Sequence, residues 1–248
     1  MLLAIDTSSG TSVAVVDREG GVLAERTELD TRRHAEVIGL LIQECLTDAG
    51  IEPARLSAVV AGMGPGPFTG LRVGIAAARA FAFGAGKPCL PLVSHDAIAF
   101  ERLGGLERAL GQEPESRQEA PLVVVTDARR REVYFSVYSG IDAEGLPVRV
   151  GEPGLCKPGD LEERLRASHA LALAPNANTN TNTDANAAAP LDLDAAERTD
   201  PTDTVVSAAA LGMLAETLFS HKRSFARDEP LYLRSPDVTV PGAPKRVS

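Results

Sequence analysis

The chain has 248 residues, with 25 Lys plus Arg against 34 Asp plus Glu, so its formal charge of −9 offers no long-range attraction to a polyanion unaided. That length supports a proper core in one large or two small lobes, and two is the expectation. Three cysteines, Cys45, Cys89 and Cys156, lie far apart with no CxxC pair, which excludes a disulfide framework and a zinc ribbon and reads as small core residues.

The opening segment, MLLAIDTSSG, carries no basic region and too short an apolar run for a signal peptide or membrane span, so the expectation is a cytoplasmic protein away from membranes. Three strand patterns follow, Leu2–Ile5, Ser12–Val16 and Val22–Glu28, separated by the turn clusters Asp6-Thr7-Ser8-Ser9-Gly10 and Asp17-Arg18-Glu19-Gly20-Gly21. They predict an antiparallel meander. From His34 to Ala49 the pattern is helical and stops at Gly50. Val37 and Leu41 form one apolar stripe, beside a second made by Ile38, Ile42, Cys45 and Ala49. One stripe can cover the sheet, and the other requires a further helix from this chain or from a partner.

Residues 56–61, LSAVVA, read as a strand covered on both faces, and GMGPGPFTGLRVG then breaks it before a helix from Leu71 to Phe83. This loop is not a P-loop, because Gly70 is followed by Leu71 and Arg72 where Lys and Ser or Thr would be needed. It also fails the GxGxxG dinucleotide spacing by one residue. Pro65 and Pro67 remove amide donors, which favours a rigid strand-to-helix turn over a direct ligand loop. In the helix, Gly74, Ala78 and Ala82 fall four apart, a spacing of small residues that lets another helix approach.

Pro88–Val93 reads as a strand, Asp96–Leu103 as a helix, and the charged stretch 104–120 as a loose boundary between an N-terminal lobe (1–103) and a second lobe (121–240). Leu122–Thr126 and Glu132–Tyr138 form a hairpin around Asp127-Ala128-Arg129-Arg130-Arg131. That cationic tip is either solvated surface or a remnant nucleotide or tRNA contact, the former being favoured. A strand within 145–156, a charged helix over 158–167 and a short strand over 170–174 follow. The Asn/Thr/Ala tract 176–189 has little to bury and reads as a disordered insertion. Residues 204–219 resume a helix that can pack back on the first lobe, and 229–234 form an extended tail.

Three strands, helix, strand, helix, strand, helix and then a second strand-led unit is the element order of an actin-like, sugar kinase and Hsp70 ATPase-type (ribonuclease H-like) α/β fold with a reduced second lobe. The motifs AIDTSS, GMGPGPFTGLRVGIAAARAFA, TDARRREVYFSVY and EPLYLRSPDVT resemble the TsaB (YeaZ) family of tRNA threonylcarbamoyladenosine biosynthesis. The match spans most of the chain outside 104–120 and 175–200. One departure is Pro67, where that family usually has serine. The resemblance implies a noncatalytic subunit that pairs with TsaD, the protein that transfers the threonylcarbamoyl group to N6 of adenosine 37 in ANN-decoding tRNAs. It implies a four-helix bundle between the two N-terminal domains, TsaE as a further partner, tRNA contact only through the complex, and a homodimer when alone. It also implies no cofactor on the isolated chain, with ATP or ADP and magnesium reserved for the complex interface.

Under that resemblance the docking surface is expected at Val37, Ile38, Leu41, Ile42, Cys45, Leu71, Arg72, Gly74, Ile75, Ala78 and Ala82, with Ala78→Arg as its probe. Asp6, Thr7 and Ser8 occupy the hairpin that grips phosphate in ATPases of this fold, and read either as a vestigial nucleotide site or as a self-satisfied polar turn. A TsaD-like metal site needs H-x-x-x-H on one helical face, whereas His95 is followed four residues later by Ala99. No metal site and no catalytic residue are therefore expected, and a lone histidine such as His34, His95, His169 or His221 reads as surface or capping. The competing classes are a metal-dependent glycoprotease-like hydrolase and an autonomous small-molecule kinase of the same fold.

Overall fold

The structure is a computed structural model and describes residues 1–113, 120–172 and 191–234. Its first sheet runs in the order β3-β2-β1-β4-β5, from β1 (Leu2–Asp6), β2 (Thr11–Asp17), β3 (Gly21–Glu28), β4 (Ala58–Gly62) and β5 (Cys89–Leu92). The meander pairs antiparallel, Ala4 opposite Ala14, while β4 and β5 add in parallel through helical crossovers, Ala4 beside Val60.

Period-two alternation sends the side chains of β1 and β2 to two cores. Leu3, Ile5, Val13 and Val15 meet α1 (His34–Ala49) and α2 (Phe68–Ala85) on one face. On the other, Leu2, Ala4, Ala14 and Val16 meet α3 (Ser94–Arg102) and α6 (Ala208–Ser220). Helix α6 closes the first lobe from the far end of the sequence. It lies so near the sheet that a Cβ at Gly212 would stand 2.7 Å from Val16 Cγ2.

The second sheet is ordered β8-β7-β6-β9, from β6 (Leu122–Asp127), β7 (Val133–Ile141), β8 (Pro147–Cys156) and the two-residue β9 (Glu197–Arg198). One of its faces packs on α5 (Leu161–Ala172) through Val123, Val125, Phe135 and Leu165. The other joins the first lobe through Leu122, Val124 and Tyr138, which share a core with Phe100, Leu211 and Leu214.

Several expectations are corrected. The stretch 104–120 is not uniformly loose, because α4 (Gly105–Ala109) packs Leu106, Ala109 and Leu110 onto the core of α3 and α6. Residues 170–172 continue α5 rather than starting a strand; 173–174 and the Asn-rich tract 176–189 lie outside the described residues. Helix α2 begins at Phe68, three residues before the expected Leu71, with the Pro67 carbonyl accepting the Leu71 N–H at 3.0 Å.

Past α6 the chain becomes a strap. The Ala226 N–H donates to the Pro91 carbonyl at 3.1 Å and the Leu231 N–H to the Met63 carbonyl at 2.8 Å. Asp228 pairs with Arg79 at 2.7 Å, and the Tyr232 ring meets Phe68 with centroids 4.7 Å apart.

Candidate functional site

The hairpin between β1 and β2 is sealed from inside. Ser8 donates to Asp6 Oδ1 from its hydroxyl at 2.6 Å and from its N–H at 2.7 Å. Ser94 Oγ donates to Asp6 Oδ2 at 2.5 Å while accepting the Gly64 N–H at 3.0 Å. Thr7 Oγ1 donates to the Gly70 carbonyl at 2.7 Å and accepts the Gly74 N–H at 3.1 Å. Burial raises the Asp6 carboxyl above its ordinary range, against the lowering effect of the Ser8 and Ser94 bonds.

These contacts account for the glycines of the loop. A Cβ at Gly62 would stand 1.9 Å from Asp6 Oδ2, and one at Gly74 2.1 Å from Thr7 Oγ1. Asp6, Thr7 and Ser8 are all buried. The polar groups of Asp6, Thr7 and Ser8 are thus satisfied by the protein's own backbone and side chains.

His34 opens α1 with its ring buried, Nδ1 lying 2.8 Å from Thr11 Oγ1, and burial lowers its pKa. His95 is neither a surface residue nor a cap. It is fully buried where α3 meets the second sheet, with Nδ1 2.8 Å from Ser136 Oγ and Nε2 2.8 Å from Thr126 Oγ1. Both ring nitrogens are thus engaged, and burial, with Arg149 adding to it, pushes its pKa down to about 3. Beside it, Asp96 Oδ1 accepts from Tyr138 Oη at 2.7 Å and from Arg149 Nη1 at 2.5 Å, tying α3 to β7 and β8. Apart from His95, which the sequence offered only as a lone histidine, these joint residues carry no local mark, since no sequence pattern identifies a polar group that finds its partners across another lobe.

The residues expected to dock a partner are placed differently from the expectation. Val37, Ile38, Leu41, Ile42, Cys45, Leu71, Ile75, Ala78 and Ala82 are all buried in the core between α1, α2 and the sheet, and Gly74 is buried against Thr7. The wide apolar arc of α1 is used up inside the molecule, because α1 touches both the sheet and α2. Burial holds the Cys45 thiol up at about 11, with its Sγ donating to the Val13 carbonyl at 3.2 Å. Arg72 alone of that set is exposed, its guanidinium 5.1 Å from the Phe68 ring centroid.

The outward side of the same two helices carries a different set. On α1, Gly39 and Leu40 face solvent, Leu40 at 55% exposure. On α2, Ala76, Ala80 and Gly84 fall four apart on the exposed side, next to Phe83 at 90% exposure. Nothing lies within 4 Å of where a Cβ would stand at Gly39 or Gly84. The ridge of small residues that is open to a helix is therefore displaced by two positions from the expected one.

The turn between β6 and β7 is strained and exposed. Arg129, Arg130 and Arg131 have φ of 64°, 53° and 61°, left-handed values that cost a residue with a Cβ roughly 1–2 kcal/mol each.

Comparison with known proteins agrees with this architecture. The profile of the family described as TsaD, tRNA N6-adenosine threonylcarbamoyltransferase, matches residues 5–178. The chain is a TsaB/YeaZ-type member of that family. An uncharacterized protein of Mycobacterium tuberculosis is 40% identical over 159 residues, covering 62% of this chain and 68% of its own. The tRNA threonylcarbamoyladenosine biosynthesis protein TsaB of Haemophilus influenzae is 38% identical over 136 residues, 54% of this chain and 52% of its own. The solved structure of YeaZ from Pseudomonas aeruginosa superposes with a TM-score of 0.63 at 23% identity, covering 94% of this chain and 99% of that one, and supports the actin-like fold. Among the described residues, no three His, Cys, Asp or Glu side chains gather as a metal site, and no helix is long and apolar enough to cross a membrane.

Proposed function

We propose that this chain is the noncatalytic TsaB-type subunit of tRNA threonylcarbamoyladenosine biosynthesis, working in the cytoplasm and docking on a TsaD-type partner through the outward faces of α1 and α2. The carrying observation is the pair of neighbouring helices whose exposed stripes hold Leu40, Ala76, Ala80, Phe83 and Gly84. Two large apolar side chains beside a ridge of small ones suit a close helix-to-helix contact, and such a face tends to pair with a second copy when the partner is absent. The sealed first hairpin supports the noncatalytic reading, since its hydroxyls and carboxylate are committed to the protein's own backbone and side chains. ATP or ADP with magnesium is assigned to the joint with the partner, TsaE joins the pair, and tRNA is engaged through the assembly.

The test uses exposed positions. Ala78 is fully buried, so Ala78→Arg would disrupt the core and say nothing about docking. Leu40→Arg and Ala80→Arg are expected to keep the wild-type melting temperature, lose co-elution with the TsaD-type protein of the same cell, and shift the isolated chain from dimer to monomer. Co-elution retained by both variants would refute the assignment of this face.

A further inference from the structure

The exposed ridge of α2 is headed by a cation. Arg72, Ala76, Ala80 and Gly84 fall four apart on the outward side of the helix. Phe83 stands on the same azimuth as Arg72, because the eleven residues between their positions make almost three full turns, and it lies about 16 Å further along the axis.

Two arginines share this side of α2, and one of them is neutralised. Arg79 pairs with Asp228 of the strap at 2.7 Å. Arg72 is exposed and meets no carboxylate among the described residues. Its guanidinium lies 5.1 Å from the ring centroid of Phe68, one turn earlier, and Phe68 is backed in turn by Tyr232. The helix does not supply the missing charge, since Phe68–Ala85 contains no Asp or Glu.

Helix stability does not explain this placement. A side chain directed back over Phe68 brings its charge toward the positive end of the macrodipole, where a carboxylate is favoured and a guanidinium is not. The stacked rings restrain the long side chain, which lowers the ordering entropy that a partner contact would cost. A helix laid along Ala76 and Ala80 would cover the guanidinium as well, and a covered cation without an opposite charge is strongly unfavourable.

Resting on the docking face proposed above, we propose that Arg72 sets direction and register there by forking onto an Asp or Glu carboxylate of the TsaD-type partner. The occupant is a helix that carries this carboxylate at one end and, about eleven residues away, small or apolar side chains that receive Phe83. Reversing that helix, or sliding it by one turn, leaves Arg72 covered and unpaired, so the wrong alignments are penalised.

The experiment titrates the TsaD-type partner with the full chain by calorimetry at low and high salt. Arg72→Glu is expected to bind about 100-fold more weakly than wild type and Arg72→Ala about tenfold, with the melting temperatures of the isolated variants unchanged. Arg72→Lys, which keeps the charge but loses the fork, is expected to fall between wild type and Arg72→Ala. Added salt should weaken wild type more steeply than Arg72→Ala. Lysine substituted in turn for each Asp and Glu on the partner's docking helices should at one position restore binding to Arg72→Glu, a rescue that a merely structural arginine would not give. Binding by Arg72→Glu within about threefold of wild type would overturn the proposal, as would the absence of any rescuing position. If Leu40→Arg and Ala80→Arg abolish co-elution while Arg72→Glu binds normally, the register assignment falls alone. If all three variants co-elute as wild type does, the docking face falls with it.

Discussion

Two turns of this protein begin alike, an aspartate following a buried strand, and end in opposite states. At Asp6-Thr7-Ser8 every polar side chain is buried and bonded to the chain itself, and the facing loop supplies glycines so that the hairpin can sink in. At Asp127 to Arg131 the side chains of Asp127 and the three arginines are exposed and the backbone carries the strain. The pair teaches that a polar turn in this fold becomes either structure or surface according to what is packed over it. The first is covered by α2 and the Gly/Pro loop; the second is only braced from its sides by Thr31 and Arg234.

The largest effect is expected where the sealed turn is forced open. Gly74→Val places a branched side chain where Thr7 Oγ1 lies, and should destabilise the fold by about 3–5 kcal/mol in urea unfolding. Stability within about 1 kcal/mol of wild type would mean that the hairpin is not locked against α2.

Next comes the joint between the lobes, which is braced by a neutral His95. Its pKa of about 3 in the folded state lies below the ordinary value of 6.5, so between these the unfolded chain holds a proton that the native state refuses. Stability therefore falls as pH drops below about 6.5, by about 3 kcal/mol from this residue at pH 4.5. Unfolding free energies measured between pH 7 and 4.5 should lose that share of their slope in His95→Gln. An unaltered slope would place the histidine in a solvated setting.

The smallest effect is expected at the exposed turn, and it has the opposite sign. Arg131→Gly removes a Cβ from a left-handed residue and should raise stability by up to about 1 kcal/mol, seen as a higher melting temperature. A lowered melting temperature would show that this side chain stabilises the fold and would blur the contrast between the two turns.

Much of the architecture was legible in the residues themselves. Period-two runs separated by turn clusters marked the meander, and Gly50, left-handed at φ 64°, marked the end of α1. The motifs around GPGPFTGLR marked the family. What the sequence by itself determined was which segments bury apolar side chains and where the backbone must turn, because both follow from local spacing and chain stereochemistry. Only the tertiary structure decided which of two small-residue ridges on α2 faces inward. Gly74-Ala78-Ala82 and Ala76-Ala80-Gly84 have the same spacing, and the inward one is the ridge that lies with Leu71 and Ile75 against the sheet and α1, its Gly74 N–H bonded to Thr7, 67 residues away in the chain. The same holds for α6, whose first turns are fixed by Ser12 Oγ accepting the Ala208 N–H from 196 residues away, and for His95 between Ser136 and Thr126. Such pairings are set by which surfaces meet when the chain closes on itself, and no window along the sequence contains both partners.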